Sequence, residues 1–301
     1  MCLDYILSLQ SDDGSWTDWK LPPGTSAIWT TAYVGYKLQL LPGDLRLKAA
    51  WSRHASTRFL AENQFEDGGW GYNEAVGSDA DSTALAILFL ASEGQAVTEL
   101  AYDRLLQFQC SDGGFSTYLP PSQYPSWTVS HPDVTPLCLQ ALLTRHSLCS
   151  SFLSRGIEYV SKQRTPAGSW NSFWWDSFLY GTEANLCILP AVKLDLDLSA
   201  TKSVLLQLRP TKAFEIALLL SSLLYVGSAE GKKRVQDLLS QLIQTQEPCG
   251  SWSCDPILRV TRPDCFEPWT CPDSGPLFAD PRKLFTSSTV LGALSRFYEL
   301  L

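Results

Sequence analysis

Two kinds of segment alternate along the 301-residue chain. The first is amphipathic. Ala50–Asn63, Leu100–Phe108, Phe152–Ser161 and Lys232–Thr245 set apolar residues at helical spacing among polar ones, the pattern of a helix with one face in water. The second is apolar nearly all round and covers Ile28–Leu41, Ser82–Leu90, Val134–Leu143, Glu183–Val192, Phe214–Tyr225 and Thr286–Leu301. Ala and Leu outnumber β-branched residues in the run Ala84–Leu90, which favours helix over strand. A helix with no polar face is packed on both sides.

Between the two kinds a turn signature returns: Gln, an acid-and-Gly turn, then an aromatic. It reads Gln10-SDDGS-Trp16, Gln64-FEDGG-Trp70, Gln109-CSDGG-Phe115, Gln163-RTPAGS-Trp170 and Gln246-EPCGS-Trp252, with a worn copy lacking the Gly turn at Gln207 to Phe214. Six copies spaced 39 to 54 residues apart describe a repeat architecture. Polar outer helix followed by apolar inner helix, six times, predicts an all-α fold: one (α/α)6 barrel of about twelve helices in two concentric rings, spanning residues 1–301 as a single domain. Such a ring closes on itself and leaves no end to cap. The six Gln–Trp repeats are assigned to stability, not chemistry, with Gly supplying a left-handed turn, Trp covering it and Gln bridging to backbone groups.

Composition narrows the function. Charged residues make up only 18% of the chain and the net charge is −8, which argues against nucleic acid, since phosphate binding needs basic surface. Eleven Trp exceed what a core needs. The start, MCLDYILSLQ, lacks a basic n-region and does not read as a secretory signal. The longest apolar run, Ile216 to Ala229, is shorter than the roughly 18–20 residues of a membrane span. Nine scattered Cys without a C-x-x-C pair fit reduced thiols in a cytosolic protein.

The chemistry concentrates at Ser78–Leu90, SDADSTALAILFL, where Asp79 and Asp81 open an inner helix. Capping is one reading, because a helix start welcomes carboxylates. The other is an acid at the mouth of the barrel cavity, since the starts of the inner helices share one rim. Trp29 to Thr31, His131 to Thr135, Tyr180 to Glu183 and Phe285 to Thr289 have the same setting.

The repeats together with Asp79-Ala80-Asp81-Ser82-Thr83-Ala84 resemble the class II terpene cyclases, the squalene–hopene and oxidosqualene cyclase family, whose acid motif is D-x-D-D-T-A or D-C-T-A. The resemblance implies that Asp81 is the proton-donating acid, that Asp79 supports it, and that Ser82 stands where the family has Asp or Cys. Asp133-Val134-Thr135 resembles the hopene-cyclase D-V-T-A-H, with Leu137 at the family's His position and His131 as a substitute partner for the acid. Trp170, Trp174-Trp175 and Leu179-Tyr180-Gly181-Thr182 resemble the G-S-W…W…Y-L-Y-G-T run. Single-barrel relatives are associated with meroterpenoids, so the implied reaction is protonation-initiated cyclisation of a polyprenyl chain attached to an aromatic acid. The partner is then a small isoprenoid substrate. No cofactor is implied, with Mg2+ only for a diphosphate substrate. The location is cytoplasmic, with peripheral contact to a membrane left open, as is oligomeric state.

That chemistry suits the residues. Burial and a neighbouring carboxylate both disfavour ionisation and would hold Asp81 protonated if Asp79 carries the charge. Aromatic faces stabilise cations by on the order of 1–2 kcal/mol each when desolvated, so Trp29, Trp127, Trp174, Trp175, Tyr180 and Trp269 are candidates for the cavity wall; ordinary packing is the alternative for each. The proline-rich Cys254–Leu284 segment has no helical period, and loops of that length are usually functional or disordered. Phe266 and Trp269 are expected to close the mouth, and Arg259 or Arg262 to hold an anionic head group; a structural brace is the alternative. Cys254, Cys265 and Cys271 have the wrong spacing for zinc, and no His follows His146. A prenyltransferase-like subunit lacking zinc, a barrel glycosidase and a non-catalytic scaffold are the competing readings. Against a glycosidase, the two acids lie one residue apart on one helix start, not on opposite sides of a sugar.

Overall fold

The computed structural model describes residues 1–227 and 231–300. Ala229, the end of the long apolar run, and Leu301, the last residue of the final apolar segment, lie outside the described residues. The six apolar segments are helices: α2 (Ile28–Gln39), α5 (Ala80–Ser92), α7 (Thr135–Leu143), α9 (Phe178–Val192), α11 (Ala213–Val226) and α13 (Leu284–Glu299). Each packs on the next, and α13 returns to α2, so the inner ring is closed. The outer ring is α1 (Cys2–Ser8), α4 (Ala50–Glu62), α6 (Glu99–Gln107), α8 (Ser151–Lys162), α10 (Ser199–Gln207) and α12 (Gly231–Thr245). A further short helix, α3 (Gly43–Lys48), links α2 to α4. The fold is the (α/α)6 barrel that the alternating pattern predicts.

The repeat signature has a clear structural task. The last carbonyls of a helix lack intrahelical partners. The Trp indole N–H supplies one: Trp16, Trp70, Trp170 and Trp252 donate to the carbonyls of Ile6, Leu60, Val160 and Leu242, each in the last turn of an outer helix, at 2.7–2.9 Å. The Gln amides of Gln10, Gln64, Gln109 and Gln246 donate to the turn-glycine carbonyls. At Gly113 φ is 93°, and a Cβ there would sit 2.4 Å from the Arg155 carbonyl oxygen, so only glycine fits. One partner was not visible in the pattern. The backbone N–H of each aromatic that follows a Gly turn donates to a hydroxyl in the first turns of the following inner helix, at Thr31, Thr83, Thr135, Thr182 and Ser287. These bonds tie each turn to the rim and fix where the inner helices begin.

The fourth copy needs a correction. Arg164, not Gln163, takes the Gln position: its Nε donates to the Gly168 carbonyl, its Nη2 to Thr201 Oγ1, and the guanidinium lies over the Trp170 ring. The spacing to the aromatic explains it, because the other four copies with a Gly turn place Gln six residues before the aromatic and Gln163 is seven before Trp170.

Loops at the rim carry two small hairpins, β1 (Asp18–Leu21) with β2 (Gly24–Ser26) and β3 (Leu258–Arg259) with β4 (Leu277–Phe278), both antiparallel. The Cys254–Leu284 segment is thus ordered by strand pairing, not helix. It also pairs with the loop before α9 through a Trp175–Leu258 bridge and the bonds Asp176 N–H to Ile257 O and Arg259 N–H to Trp174 O.

Candidate active site

Helix α5 begins between two neighbouring repeats. The Asp79 N–H donates to the Trp70 carbonyl and the Ala80 N–H to the Thr117 carbonyl, both at 3.0 Å. This suspends the helix start over the barrel mouth. Asp79 is the N-cap: its two carboxylate oxygens accept from the Ser82 N–H at 2.7 Å and the Ser82 hydroxyl at 2.8 Å. Capping therefore describes Asp79, and Ser82 is its clamp.

Asp81 is different. It lies in the first turn, takes no part in capping, and accepts one hydrogen bond, from the Trp29 indole N–H at 2.7 Å. Burial pushes its pKa up to about 8, the Asp79 charge adds to the rise, and the Trp29 bond opposes it. Burial also raises Asp79, to about 7, against the two Ser82 donors. Between two coupled carboxyls the charge settles where the donors are. Asp79 carries it and Asp81 keeps a proton. A protonated acid is thereby presented to a small chamber of about 90 Å³ lined by Trp29, Tyr72, Tyr118, Trp174, Trp175 and Leu258.

Above the chamber, and sharing Leu21, Tyr72, Tyr118, Trp174 and Leu258 with it, is a cavity of about 820 Å³. Its wall includes Tyr124, Trp127, Arg104, Arg259 and Arg262. Below the chamber the barrel axis is filled by rings. Trp175 stacks on Tyr180 at 4.4 Å and on Phe285 at 4.8 Å, and Phe285 on Tyr33 at 3.9 Å.

The remaining expected residues divide. Trp29, Trp174 and Trp175 line the chamber; Trp127 lines the upper cavity, donating to the Thr261 carbonyl and stacking on Tyr124 at 4.2 Å. Tyr180 backs Trp175. Asp133 is buried and accepts from the N–H groups of Phe173 and Trp174 at 2.9 and 3.0 Å, so it sets the Trp174 backbone. His131 does not reach Asp81, a correction to the sequence expectation. Its Nε2 faces the Ser126 carbonyl and must donate, so Nδ1 accepts from the Thr117 hydroxyl, which in turn accepts from the Trp174 indole. Burial lowers its pKa to about 4, keeping it neutral. His131 therefore orients Trp174.

Arg259 is buried and committed to the backbone, donating to the Phe173 and Trp175 carbonyls at 3.3 and 3.1 Å, with Asp176 beside it at 3.5 Å. Arg262 lies between Asp264 and Asp273 at the outer edge. Phe266 and Trp269 are exposed and line neither cavity, contrary to expectation. At the base of their loop the Ser126 hydroxyl donates to the Arg262 carbonyl. Missed by sequence reasoning were Tyr72 and Tyr118, which line both the chamber and the upper cavity. Each follows a turn aromatic by two or three residues (Trp70 and Phe115), and that second spacing would have found them. Among the described residues no cluster of three or more His, Cys, Asp or Glu could hold a metal ion. None of their helices is long and apolar enough to cross a membrane.

No family model matches the chain. A squalene–hopene cyclase of Bradyrhizobium diazoefficiens is 26% identical over 205 residues, covering 56% of this chain and 31% of that protein. The chain spans about a third or less of the length of the curated relatives it matches. Among solved structures, a variant of the type II terpene cyclase MstE from Scytonema, in complex with its substrate geranylgeranyl dihydroxybenzoate, superposes with a TM-score of 0.89 at 23% identity, covering 100% of this chain and 96% of the other. The barrel is not confined to cyclases: a GH76 α-mannanase of Bacteroides thetaiotaomicron matches with a TM-score of 0.59 at 11% identity over 99% and 94% of the two chains. In sequence the chain is similar to part of squalene–hopene cyclases, and in fold it is similar over its whole length to the type II terpene cyclase MstE.

Proposed function

We propose that the chain is a class II terpene cyclase in which Asp81 protonates the distal alkene, or an epoxide, of a polyprenyl chain and starts a cationic cyclisation. The observation that carries this reading is the state of Asp81: a carboxyl with one hydrogen-bond donor, next to an anionic, doubly clamped Asp79, facing a chamber walled by indole and phenol rings. A cap would be clamped as Asp79 is. A glycosidase would set its two carboxyls on opposite sides of a sugar, whereas these share one helix start.

The steps follow from the geometry. The Asp81 O–H bond breaks as its proton passes to an alkene carbon, and the cation forms on the more substituted one. The negative charge left on Asp81 is stabilised by the Trp29 N–H and the start of α5. Rings of Trp29, Trp174 and Trp175 face the cations, and their walls exclude water that would quench them. Nothing in this sequence of steps calls for a cofactor; Mg2+ enters only if the substrate carries a diphosphate.

The relative with bound geranylgeranyl dihydroxybenzoate suggests the substrate class: a prenylated aromatic acid whose tail reaches the chamber while the head stays in the 820 Å³ cavity. Arg262 stands at that cavity with exposed acid partners that a head-group carboxylate can replace, whereas Arg259 keeps its donors on the Phe173 and Trp175 carbonyls. We take the single barrel to be the catalytic unit. The test is Asp81→Asn assayed with geranylgeranyl dihydroxybenzoate. Asn keeps the size and the Trp29 contact but has no acidic proton. A folded variant that binds substrate and loses cyclisation by 10²-fold or more supports the reading; turnover near the wild-type rate refutes it.

A further inference from the structure

A cation is stabilised by the face of an aromatic ring and not by its edge, so an indole on the reaction path must be held in one orientation. With the tail at Asp81 and the head in the upper cavity, later cations form toward the head, at the passage between the two spaces. Five residues line both: Leu21, Tyr72, Tyr118, Trp174 and Leu258. Trp174 is the indole among them. Its backbone is fixed twice, by its own N–H on Asp133 and by the Arg259 N–H on its carbonyl. Among the described residues its ring has one polar anchor, the Thr117 hydroxyl, which accepts the indole N–H at 2.8 Å.

Chemistry determines the direction of every bond in this anchor. An indole N–H only donates, and a backbone carbonyl only accepts. The Ser126 carbonyl therefore takes the His131 Nε2–H at 2.9 Å. That leaves Nδ1 to accept from the Thr117 O–H, also at 2.9 Å, and the Thr117 oxygen to accept from Trp174. The imidazole lies flat against Phe173, with ring centroids 3.8 Å apart. Thr117 is buried and lines the acid's chamber. Its backbone has a separate task. The carbonyl accepts the Ala80 N–H at 3.0 Å, at the start of the helix that carries Asp81. Main chain and side chain of one residue thus hold the acid and the indole, and a substitution can remove the second hold while keeping the first.

We propose that Thr117 is a positioning residue that fixes the Trp174 ring at the passage and so determines how far the cyclisation runs. This rests on the cyclase reading above. A fixed ring stabilises a cation near the head group until the next alkene adds to it. Beside a ring that is free to turn, the cation stops early. It passes a proton from an adjacent carbon to water, giving an alkene, or takes up water and sheds a proton, giving an alcohol, with fewer rings closed. Thr117 acts through Trp174.

The experiment compares wild type, Thr117→Val and Thr117→Ser with geranylgeranyl dihydroxybenzoate, with substrate loss and all products quantified. Val keeps the shape and the carbonyl but cannot accept the indole N–H; Ser is smaller and keeps the hydroxyl. In Thr117→Val the fully cyclised product should fall about fivefold or more relative to partly cyclised alkenes and alcohols. Substrate loss should fall by less than that ratio, because the Ala80 bond still holds the acid's helix. Thr117→Ser should restore most of the wild-type ratio. A packing role alone predicts the reverse order, since Val fills the Thr space and Ser does not. Should the Val variant fail to fold, Thr117→Ala against Thr117→Ser, which differ by the hydroxyl, makes the same comparison. In 15N spectra of the wild type His131 should be the Nε2–H tautomer at pH 7; the Nδ1–H tautomer overturns the anchor. A wild-type product ratio in Thr117→Val overturns the proposal, as does a Ser variant no better than Val. A folded Val variant that no longer consumes substrate also overturns it, by moving Thr117 to initiation. No substrate loss by wild type overturns the cyclase reading, and this proposal with it.

Discussion

Trp29→Phe isolates the one bond that tunes the acid. The indole N–H donates to Asp81 Oδ2 at 2.7 Å and, among the described residues, is the only side-chain donor to that carboxyl. It stabilises the charged form, so it holds the Asp81 pKa down against burial and Asp79. Phe keeps a ring against Phe285, whose centroid is 5.2 Å away, and Tyr72, at 6.3 Å, but removes the donor. A hydrogen bond to a charged group contributes roughly 1.5–3 kcal/mol, and one pKa unit is about 1.4 kcal/mol. Its loss should therefore raise the Asp81 pKa by about one to two units from its value of about 8. The reactive form is the protonated one, so wild-type turnover should be full below that pH and fall as pH rises through it. In the variant this alkaline limb should move up by about one to two units, and the plateau should fall because a weaker acid protonates an alkene more slowly. Initial rates at saturating geranylgeranyl dihydroxybenzoate, measured from pH 6 to pH 10 by product quantification, test both parts. A limb that stays in place, or moves down, would refute the role of the Trp29 N–H.

The same acid has a consequence for stability. Its folded pKa is raised above the ordinary Asp value, so the stability it contributes is present below about pH 4 and lost as pH rises through about 8. Asp81→Asn should thus match wild type near pH 4 and exceed it by roughly 2–5 kcal/mol above pH 8, read by denaturant unfolding; a variant less stable at pH 8 would count against a buried neutral acid. Arg164→Ala should cost about 1–2 kcal/mol through the lost Gly168 and Thr201 bonds, whereas Arg164→Gln restores the repeat pattern and should stay within about 0.5 kcal/mol. Arg259→Ala should lower Tm, because the Phe173 and Trp175 carbonyls lose a donor. Arg262→Ala should raise KM about tenfold with little change in Tm, since its acid partners are exposed. If Arg262→Ala leaves KM unchanged, the head group is anchored elsewhere.

Much of this protein follows from local chemistry. The alternation of amphipathic and apolar segments dictated the two rings, because a helix without a polar face can be stable only when packed on both sides. The Gly turns and their aromatics marked where outer helices stop, and the inner-helix starts placed Asp79 and Asp81 on one rim. Register inside a repeat was less secure. Arg164 replaces Gln163 because the turn geometry counts residues from the aromatic, and an Arg fork reaches the same glycine carbonyl that Gln does.

The division of labour at the site belongs to the tertiary structure. Two Asp residues, one position apart on a helix start, differ in role because Ser82 clamps Asp79 while α2 brings Trp29 to Asp81. That contact spans 52 positions in sequence. His131 and Asp133, both near the α7 start, serve Trp174 instead of the acid, because the loop before α9 folds across them. Whether Arg259 faces solvent or braces a loop was settled by the bridge between Leu258 of β3 and Trp175 in the loop before α9. Local pattern determines elements and their ends; which side chains share a proton depends on distances between elements far apart in the chain, and only the closed ring sets those.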